Sequence, residues 1–380
     1  MSFDHRFPSA ESLRQRARER MPRFAFEYLD GGCNEEVNLR RNRDDLQAVQ
    51  LRPRYLADFA GCTLETELFG QLYSAPFGVA PVGLQGLMWP GSAETLARAA
   101  SRHRLPFVLS TVSTASIETV AEICDGRMWF QLYHPTRDEL RDKLLDRAAA
   151  AGVEVLVVLA DTPTFSYRPR EIRNGLSIPP RLSLANLWQM LVHPSWSWGQ
   201  LRHGMPRFAT MEPYLPAGLK LAHLGEFMAA TFEGRLNRAR LAALRERWKG
   251  RLIVKGVVCE ADAELCLEVG ADGFVVSNHG GRQLDAGQSS IVPLTELADR
   301  YGQRTCVMMD SGIRSGPDIA RSLASGARFT FLGRTFMYGV AALGEPGGDH
   351  TIAMLERQLR QVLEQLGCSR TEDLPQHLVS

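Results

Sequence analysis

The chain has 380 residues, 44% of them hydrophobic, enough apolar material for a large buried core. Lys and Arg number 44 against 43 Asp and Glu, so no global charge bias points to nucleic acid as a partner. Seven scattered cysteines without a C-x-x-C pair argue against a zinc site or a disulfide framework, and suit a reducing compartment.

Residues 1–74 form an N-terminal segment in which 9–50 are expected to be helical, FAFEYLDGG ending a helix at Gly31–Gly32. The opening MSFDHRFPSAESLRQRARER is charged and lacks the apolar core of a secretory signal. No run of about 18 apolar residues follows that could span a membrane. From residue 75 to 368 one rhythm repeats: a short apolar run, a small or polar residue, then an amphipathic stretch. It predicts strands at Phe77–Ala80, Phe107–Leu109, Met128–Leu132, Glu154–Leu159, Leu252–Lys255, Gly273–Ser277, Thr305–Met309 and Phe329–Leu332. The helices between and after them are expected at Ser92–Arg102, Ser116–Ile123, Arg137–Ala151, Arg238–Lys249, Glu260–Val269, Val292–Tyr301, Pro317–Ala324 and His350–Leu366. Eight alternating pairs predict an α/β fold, a (β/α)8 TIM barrel in a single domain over 1–380, with a doubly wound open sheet as the alternative. A long insertion, about 164–232, separates strands four and five and carries Trp188, Trp196 and Trp198.

Active sites of such barrels lie at the carboxyl ends of the strands. Those ends carry Ala80-Pro81-Val82-Gly83, Ser110-Thr111, Gln131 with Tyr133, Asp161, Lys255-Gly256, Ser277-Asn278-His279-Gly280-Gly281-Arg282, Asp310-Ser311-Gly312-Ile313-Arg314 and Gly333-Arg334. The last two ends suit a phosphate: Gly312 and Gly333 permit close backbone approach, and Arg314 and Arg334 supply forked cationic donors. His279 can act as a base near neutrality, and Asp161 is its candidate carboxylate partner across the rim. Arg282 and Arg168 are candidate anchors for a substrate carboxylate, although position alone does not separate Arg168 from Arg170 or Arg173. Lys255, at the end of a buried strand, calls for an anionic partner.

The segments FEYLDGG, APVG, LST, WFQLY, ADTP, IVKG, VSNHGGRQLD, DSGIRSGPD and FLGR, in this order and spacing, resemble the FMN-dependent 2-hydroxy-acid oxidase/dehydrogenase family over nearly the whole chain. The pattern is most similar to its membrane-associated L-lactate and mandelate dehydrogenases. The resemblance implies FMN as cofactor and oxidation of an (S)-2-hydroxy acid to the 2-oxo acid. It implies His279 as the base, Asp161 as its partner, and Arg168, Arg282 and Tyr28 as carboxylate ligands, with Tyr133 at the substrate hydroxyl. It further implies Lys255 at the reduced flavin. Ala80, Pro81, Val82, Ser110, Gln131 and Ser277 would lie along the flavin, Asp310 at the ribityl hydroxyls, and Gly312, Arg314, Gly333 and Arg334 at the phosphate. No metal is implied.

Two positions depart from the family. Leu159 stands where a hydroxyl residue commonly bonds the flavin, and Pro169 directly follows Arg168, forcing it toward extended backbone. Gly83 stands where oxidases of the family tend to carry alanine and dehydrogenases glycine. That favours a quinone-type acceptor, with oxygen as the alternative. The stretch NLWQMLVHPSWSWGQLRHGMPRF combines apolar and basic residues and is similar to the anchoring segment of the membrane-associated members. It implies peripheral contact with the inner face of the cytoplasmic membrane; a homotetramer is also expected. The competing classes are a nucleotide dehydrogenase, which would need Cys259 or Cys306 as nucleophile, and a non-catalytic flavin- or phosphate-binding barrel.

Overall fold

A computed structural model describes residues 5–56, 58–176, 183–216 and 221–379, with backbone only at 221–225. Two short antiparallel strands, β1 (Thr66–Leu68) and β2 (Gln71–Tyr73), precede the repeat. Eight parallel strands then close on themselves: β3 (Phe77–Val79), β4 (Phe107–Ser110), β5 (Met128–Leu132), β6 (Val155–Leu159), β7 (Arg251–Val257), β8 (Gly273–Val276), β9 (Cys306–Asp310) and β10 (Phe329–Leu332). Closure comes from β10, which pairs with both β9 and β3. The fold is the expected (β/α)8 barrel, not an open sheet.

The strands are apolar runs because both faces are covered. Every residue of β5 and β6 is buried. One set of side chains fills the barrel interior: Val108, Trp129, Val157, Ile253, Val275, Met308 and Phe331 among them. The other set, including Leu109, Phe130, Leu156 and Val254, packs on the surrounding helices. The β1–β2 hairpin, which periodicity did not anticipate, supplies Leu68 and Tyr73 to the interior cluster. The Tyr73 ring stands 5.6 Å from that of Phe329, and its hydroxyl accepts from Trp129 Nε1 at 3.3 Å. These contacts plug one end of the barrel, so the functional cavity lies at the other.

One helical expectation holds and two need correction. The N-terminal segment forms three helices, Ala10–Arg20, Arg23–Asp30 and Val37–Ala48, and the second stops before Gly31 as expected. Gly31 is not left-handed, however; its φ is −73°. A Cβ there would meet Glu27 O at 2.7 Å, and one on Gly32 would meet Gly281 O at 2.8 Å, so close packing requires these glycines. After β10 the chain enters the helix Arg334–Leu343 before the expected C-terminal one, which runs Gly347–Leu366. Thr335–Ala342 are buried throughout, so the helix shows no exposed polar face along those residues. Finally, the insertion holds the helices Pro169–Arg173, Leu184–Val192, Pro194–His203 and Leu221–Phe232. Pro194 occupies a first-turn position, where its missing N–H costs nothing, and so divides two helices.

Candidate active site

A cavity of about 1200 Å³ opens at the carboxyl ends of the strands. Its wall takes Ala80, Pro81 and Val82 after β3, Gln131 and Tyr133 at β5, and Lys255 on β7. His279, Gly280 and Arg282 come from the loop after β8, Asp310–Arg314 from β9, and Gly333 and Arg334 from β10. Tyr28 from the N-terminal segment and Arg168 from the insertion complete the set. The strand ends therefore converge as expected, with two elements outside the barrel repeat.

His279 occupies the left-handed region at φ 59°, costly for a residue with a Cβ, and Gly280 and Gly281 continue at 66° and 71°. The turn is held by Ser277 Oγ, which accepts the His279 backbone N–H at 3.1 Å. Gly281 is required by proximity too, since a Cβ would stand 2.6 Å from Leu39 Cα of the helix Val37–Ala48. This conformation brings His279 Nδ1 to 3.0 Å from Asp161 Oδ1. Asp161 is itself placed by β7: Gly256 has φ 102°, and a Cβ on it would lie 2.6 Å from Asp161 Cβ. The ladder register shifts here between Lys255 and Val257, a local irregularity of the kind that re-aims side chains next to sites. Burial pushes the Asp161 carboxyl up, but His279 and Lys255 outweigh it and hold the group below its ordinary value. Asp161 Oδ2 is buried without a hydrogen-bond partner among the described residues.

Behind this pair, Lys255 Nζ donates to Ser277 Oγ at 2.6 Å and meets Asp310 Oδ2 at 2.8 Å. Burial lowers its pKa, while Asp310 and Asp161 raise it more, so Lys255 stays a cation at the cavity floor.

A second charged group also lines the cavity. Arg282 Nη1 donates to Tyr28 O at 2.7 Å and Gly31 O at 2.9 Å, and its guanidinium lies 5.1 Å from the centre of the Tyr28 ring. Arg168 caps the helix Pro169–Arg173 with φ −126°, the extended backbone that Pro169 imposes, and its side chain still reaches the cavity. Arg170 turns away to pair with Glu36 and Asp30. Arg168 lines the cavity, whereas Arg170 and Arg173 do not. Burial raises the pKa of the Tyr28 and Tyr133 hydroxyls, keeping both neutral.

At the third wall Arg334 donates to three backbone carbonyls: Leu29 at 3.0 Å, Gly280 at 2.9 Å and Gly31 at 2.7 Å. Arg314 donates to Ile313 O at 2.9 Å. Neither has a carboxylate within ion-pair distance among the described residues. Burial, with Arg314 and Arg282 nearby, pushes the Arg334 guanidinium down to about 9, and burial lowers Arg314 as well. Two desolvated cations beside Gly312 and Gly333 fit a phosphate group, whose charge would relieve both.

Several of the candidate residues do not line the cavity themselves. Ser110 does not line the cavity; its hydroxyl accepts Val112 N–H at 3.3 Å. Ser277 and Asp161 stand behind Lys255 and His279 rather than on the cavity wall. Leu159 is a buried end of β6 and also off the wall. Cys259 and Cys306 do not line the cavity either, which removes the nucleophile a nucleotide dehydrogenase would need. Trp196, grouped with the exposed tryptophans by its sequence neighbourhood, is only 4% exposed. Its Nε1 donates to Leu87 O at 3.0 Å, and it packs edge-on against Phe24. The sequence reading missed Glu171, which lines the cavity, and the apolar wall of Met190, Phe208 and Met228. Glu171 stands three residues after Arg168 at a helix start, a spacing that pairs side chains and was available as a signal.

The family model for FMN-dependent dehydrogenases matches residues 17–380. An (S)-mandelate dehydrogenase of Pseudomonas putida is 37% identical over 360 residues, covering 95% of this chain and 90% of that protein. An L-lactate dehydrogenase of Pectobacterium atrosepticum is 39% identical over 367 residues, 96% of this chain and 95% of that one. A crystal structure described as the monotopic membrane protein (S)-mandelate dehydrogenase superimposes with a TM-score of 0.92 at 36% identity, covering 98% of this chain and 99% of that one.

Proposed function

The chain belongs to the FMN-dependent dehydrogenase family, and from that premise we propose that it oxidises an (S)-2-hydroxy acid of the lactate or mandelate kind to the 2-oxo acid. The observation that carries the reading is one cavity lined by a carboxylate-held histidine and by two arginines from separate segments. Bound FMN supplies the two-electron chemistry. Arg314 and Arg334, with Gly312 and Gly333, would hold its phosphate, and Asp310 its ribityl hydroxyls. Ala80, Pro81, Val82 and Gln131 would lie along its ring, and Lys255 would offer it fixed positive charge.

Arg168 and Arg282 bind the substrate carboxylate with charge-assisted hydrogen bonds, and Tyr28 assists. Tyr133 stays neutral and can donate to the substrate oxygen. With Nδ1 turned to Asp161, His279 has Nε2 for the substrate proton, and Asp161 stabilises the imidazolium that results. Anaerobic addition of (S)-lactate or (S)-mandelate to FMN-loaded protein is expected to bleach the flavin absorbance, while the (R) acids leave it unchanged. Flavin that no 2-hydroxy acid reduces would leave only a binding barrel.

For the acceptor, a quinone taken up at a membrane surface is the reading with most support. Leu184, Trp198 and Leu201 are 85%, 70% and 78% exposed. Leu187, Trp188, Leu191 and Met205 are also exposed, and Arg202, His203 and Arg207 lie exposed in the same stretch. Such a face suits insertion into the headgroup region. No helix among the described residues is long and apolar enough to cross a membrane. Leu201 and Met205 also line the cavity, so its mouth opens within the apolar face. Flotation with anionic liposomes tests the contact. A protein that stays with the soluble fraction at low salt would make this segment a lid or a subunit contact.

A further inference from the structure

The two arginines that this reading gives to the substrate carboxylate already hold a carboxylate of the chain's own. Glu171 Oε1 accepts from Arg282 Nη2 at 2.7 Å and from Arg168 Nη1 at 3.2 Å. All three side chains line the cavity, with Arg168 17%, Arg282 14% and Glu171 14% exposed. Other donors of the two guanidiniums serve the protein as well. Arg282 Nη1 serves the Tyr28 and Gly31 carbonyls, and Arg168 Nε donates to Ser166 Oγ at 2.9 Å. Each guanidinium thus turns one end to a shared point, and a carboxylate oxygen stands there. That is the arrangement a bound 2-hydroxy acid would need from its own carboxylate.

Charge gives the contact a consequence. Two guanidiniums and one carboxylate leave a single net positive charge in a poorly solvated pocket. Burial and the Arg168 charge lower the Arg282 guanidinium and Glu171 counters part of that; burial lowers Arg168 too, but there Glu171 and the nearby tyrosines outweigh it. A substrate monoanion brings the group to neutrality. Without Glu171 the same anion would meet two uncompensated cations and be held more tightly.

We propose that Glu171 is a resident counter-carboxylate, which keeps Arg168 and Arg282 ordered before substrate arrives and then competes with the substrate and product carboxylates for them. It weakens ground-state binding of both acids and hastens release of the 2-oxo acid. Binding energy that does not distinguish ground state from transition state adds nothing to turnover once the site is saturated, so such a competitor serves the reaction.

The proposal rests on Arg168 and Arg282 being the carboxylate anchors, and the test separates the two claims. FMN-loaded whole protein is titrated with oxalate, followed by the flavin absorbance, for wild type, Glu171→Gln and Arg282→Met. Removing the competing charge-assisted bonds in Glu171→Gln is expected to tighten oxalate binding on the order of 10- to 100-fold. KM should fall, and turnover at saturating substrate should fall as product leaves more slowly. A Glu171 that merely buttresses the arginines gives the opposite sign, weaker oxalate binding with raised KM, and that result or an unchanged affinity overturns the proposal. Loss of oxalate binding in Arg282→Met without tightening in Glu171→Gln sinks the proposal and spares the anchors. Unchanged oxalate binding in Arg282→Met sinks the anchor assignment itself. Should Glu171→Gln fail to load FMN, Glu171→Asp, one methylene shorter, is expected to tighten binding by a smaller factor, and no tightening there counts equally against the proposal.

Discussion

Asp161→Asn separates the charge behind His279 from the shape of the pair. Asparagine can keep an oxygen 3.0 Å from His279 Nδ1, so the ring keeps its place while the negative charge beside it disappears. Both side chains are shielded, His279 being 20% and Asp161 11% exposed, so solvent screens the interaction little. A hydrogen bond to a charged group contributes about 1.5–3 kcal/mol, and about 1.4 kcal/mol is a factor of ten in rate. Flavin reduction by the 2-hydroxy acid is therefore expected to slow on the order of 10- to 100-fold. The asparagine Nδ2 would fall where Oδ2 now has no partner among the described residues, an unsatisfied donor costing about 1–3 kcal/mol of stability. Asp161 is held below the ordinary carboxylate value of 3.8, so its contribution to stability is present above that value and is lost as pH falls through its lower folded value. The variant should therefore show a shallower loss of stability on acidification than wild type. Anaerobic stopped-flow reduction and thermal melts across pH 3–7 at equal FMN content measure both effects. An unchanged reduction rate would refute the reasoning, because it would mean that the negative charge beside His279 contributes nothing to proton uptake.

Other perturbations follow from the same geometry. Gly256→Ala sets a Cβ 2.6 Å from Asp161 Cβ at a φ of 102°, so it should destabilise the fold by about 1–3 kcal/mol and slow flavin reduction, measured by melting and stopped flow. Arg334→Met should weaken FMN binding, and inorganic phosphate should raise the melting temperature of the wild-type apoprotein but not of the variant, since the anion compensates a cation that burial pushes down to about 9. The neighbouring tryptophans should part company. Trp196→Ala removes a side chain only 4% exposed and should cost about 3–5 kcal/mol by denaturant titration. Trp198→Ala, at 70% exposure, should leave stability near wild type and reduce liposome flotation.

The barrel was legible because its strands are apolar runs of parallel-sheet type and its catalytic candidates follow them directly. His279, Lys255 and Arg334 stand where strand counting puts them. What stayed hidden depends on approach between distant segments. Nothing local in the sequence says that Gly256 must admit Asp161, or that Gly281 must admit Leu39. The helix Arg334–Leu343 escaped because Thr335–Ala342 are all buried and leave it no exposed polar face, and the β1–β2 plug because strands of three residues show no dependable alternation. Arg168 could not be told from Arg170 along the chain; their separation comes from the pairing of Arg170 with Glu36 and Asp30, elements far away in sequence. Trp196 and Trp198, two residues apart on one helix, face core and solvent respectively, a division set by the docking of that helix on Phe24.

The central claim is that His279 takes the substrate proton in a cavity built to oxidise a 2-hydroxy acid. Single-turnover anaerobic reduction of FMN-loaded wild type and His279→Gln by one (S)-2-hydroxy acid tests it most directly. Full FMN content is expected in both proteins, with reduction slower by about 10²–10⁴-fold in the variant, the usual cost of losing a general base. Reduction at the wild-type rate in His279→Gln would contradict it.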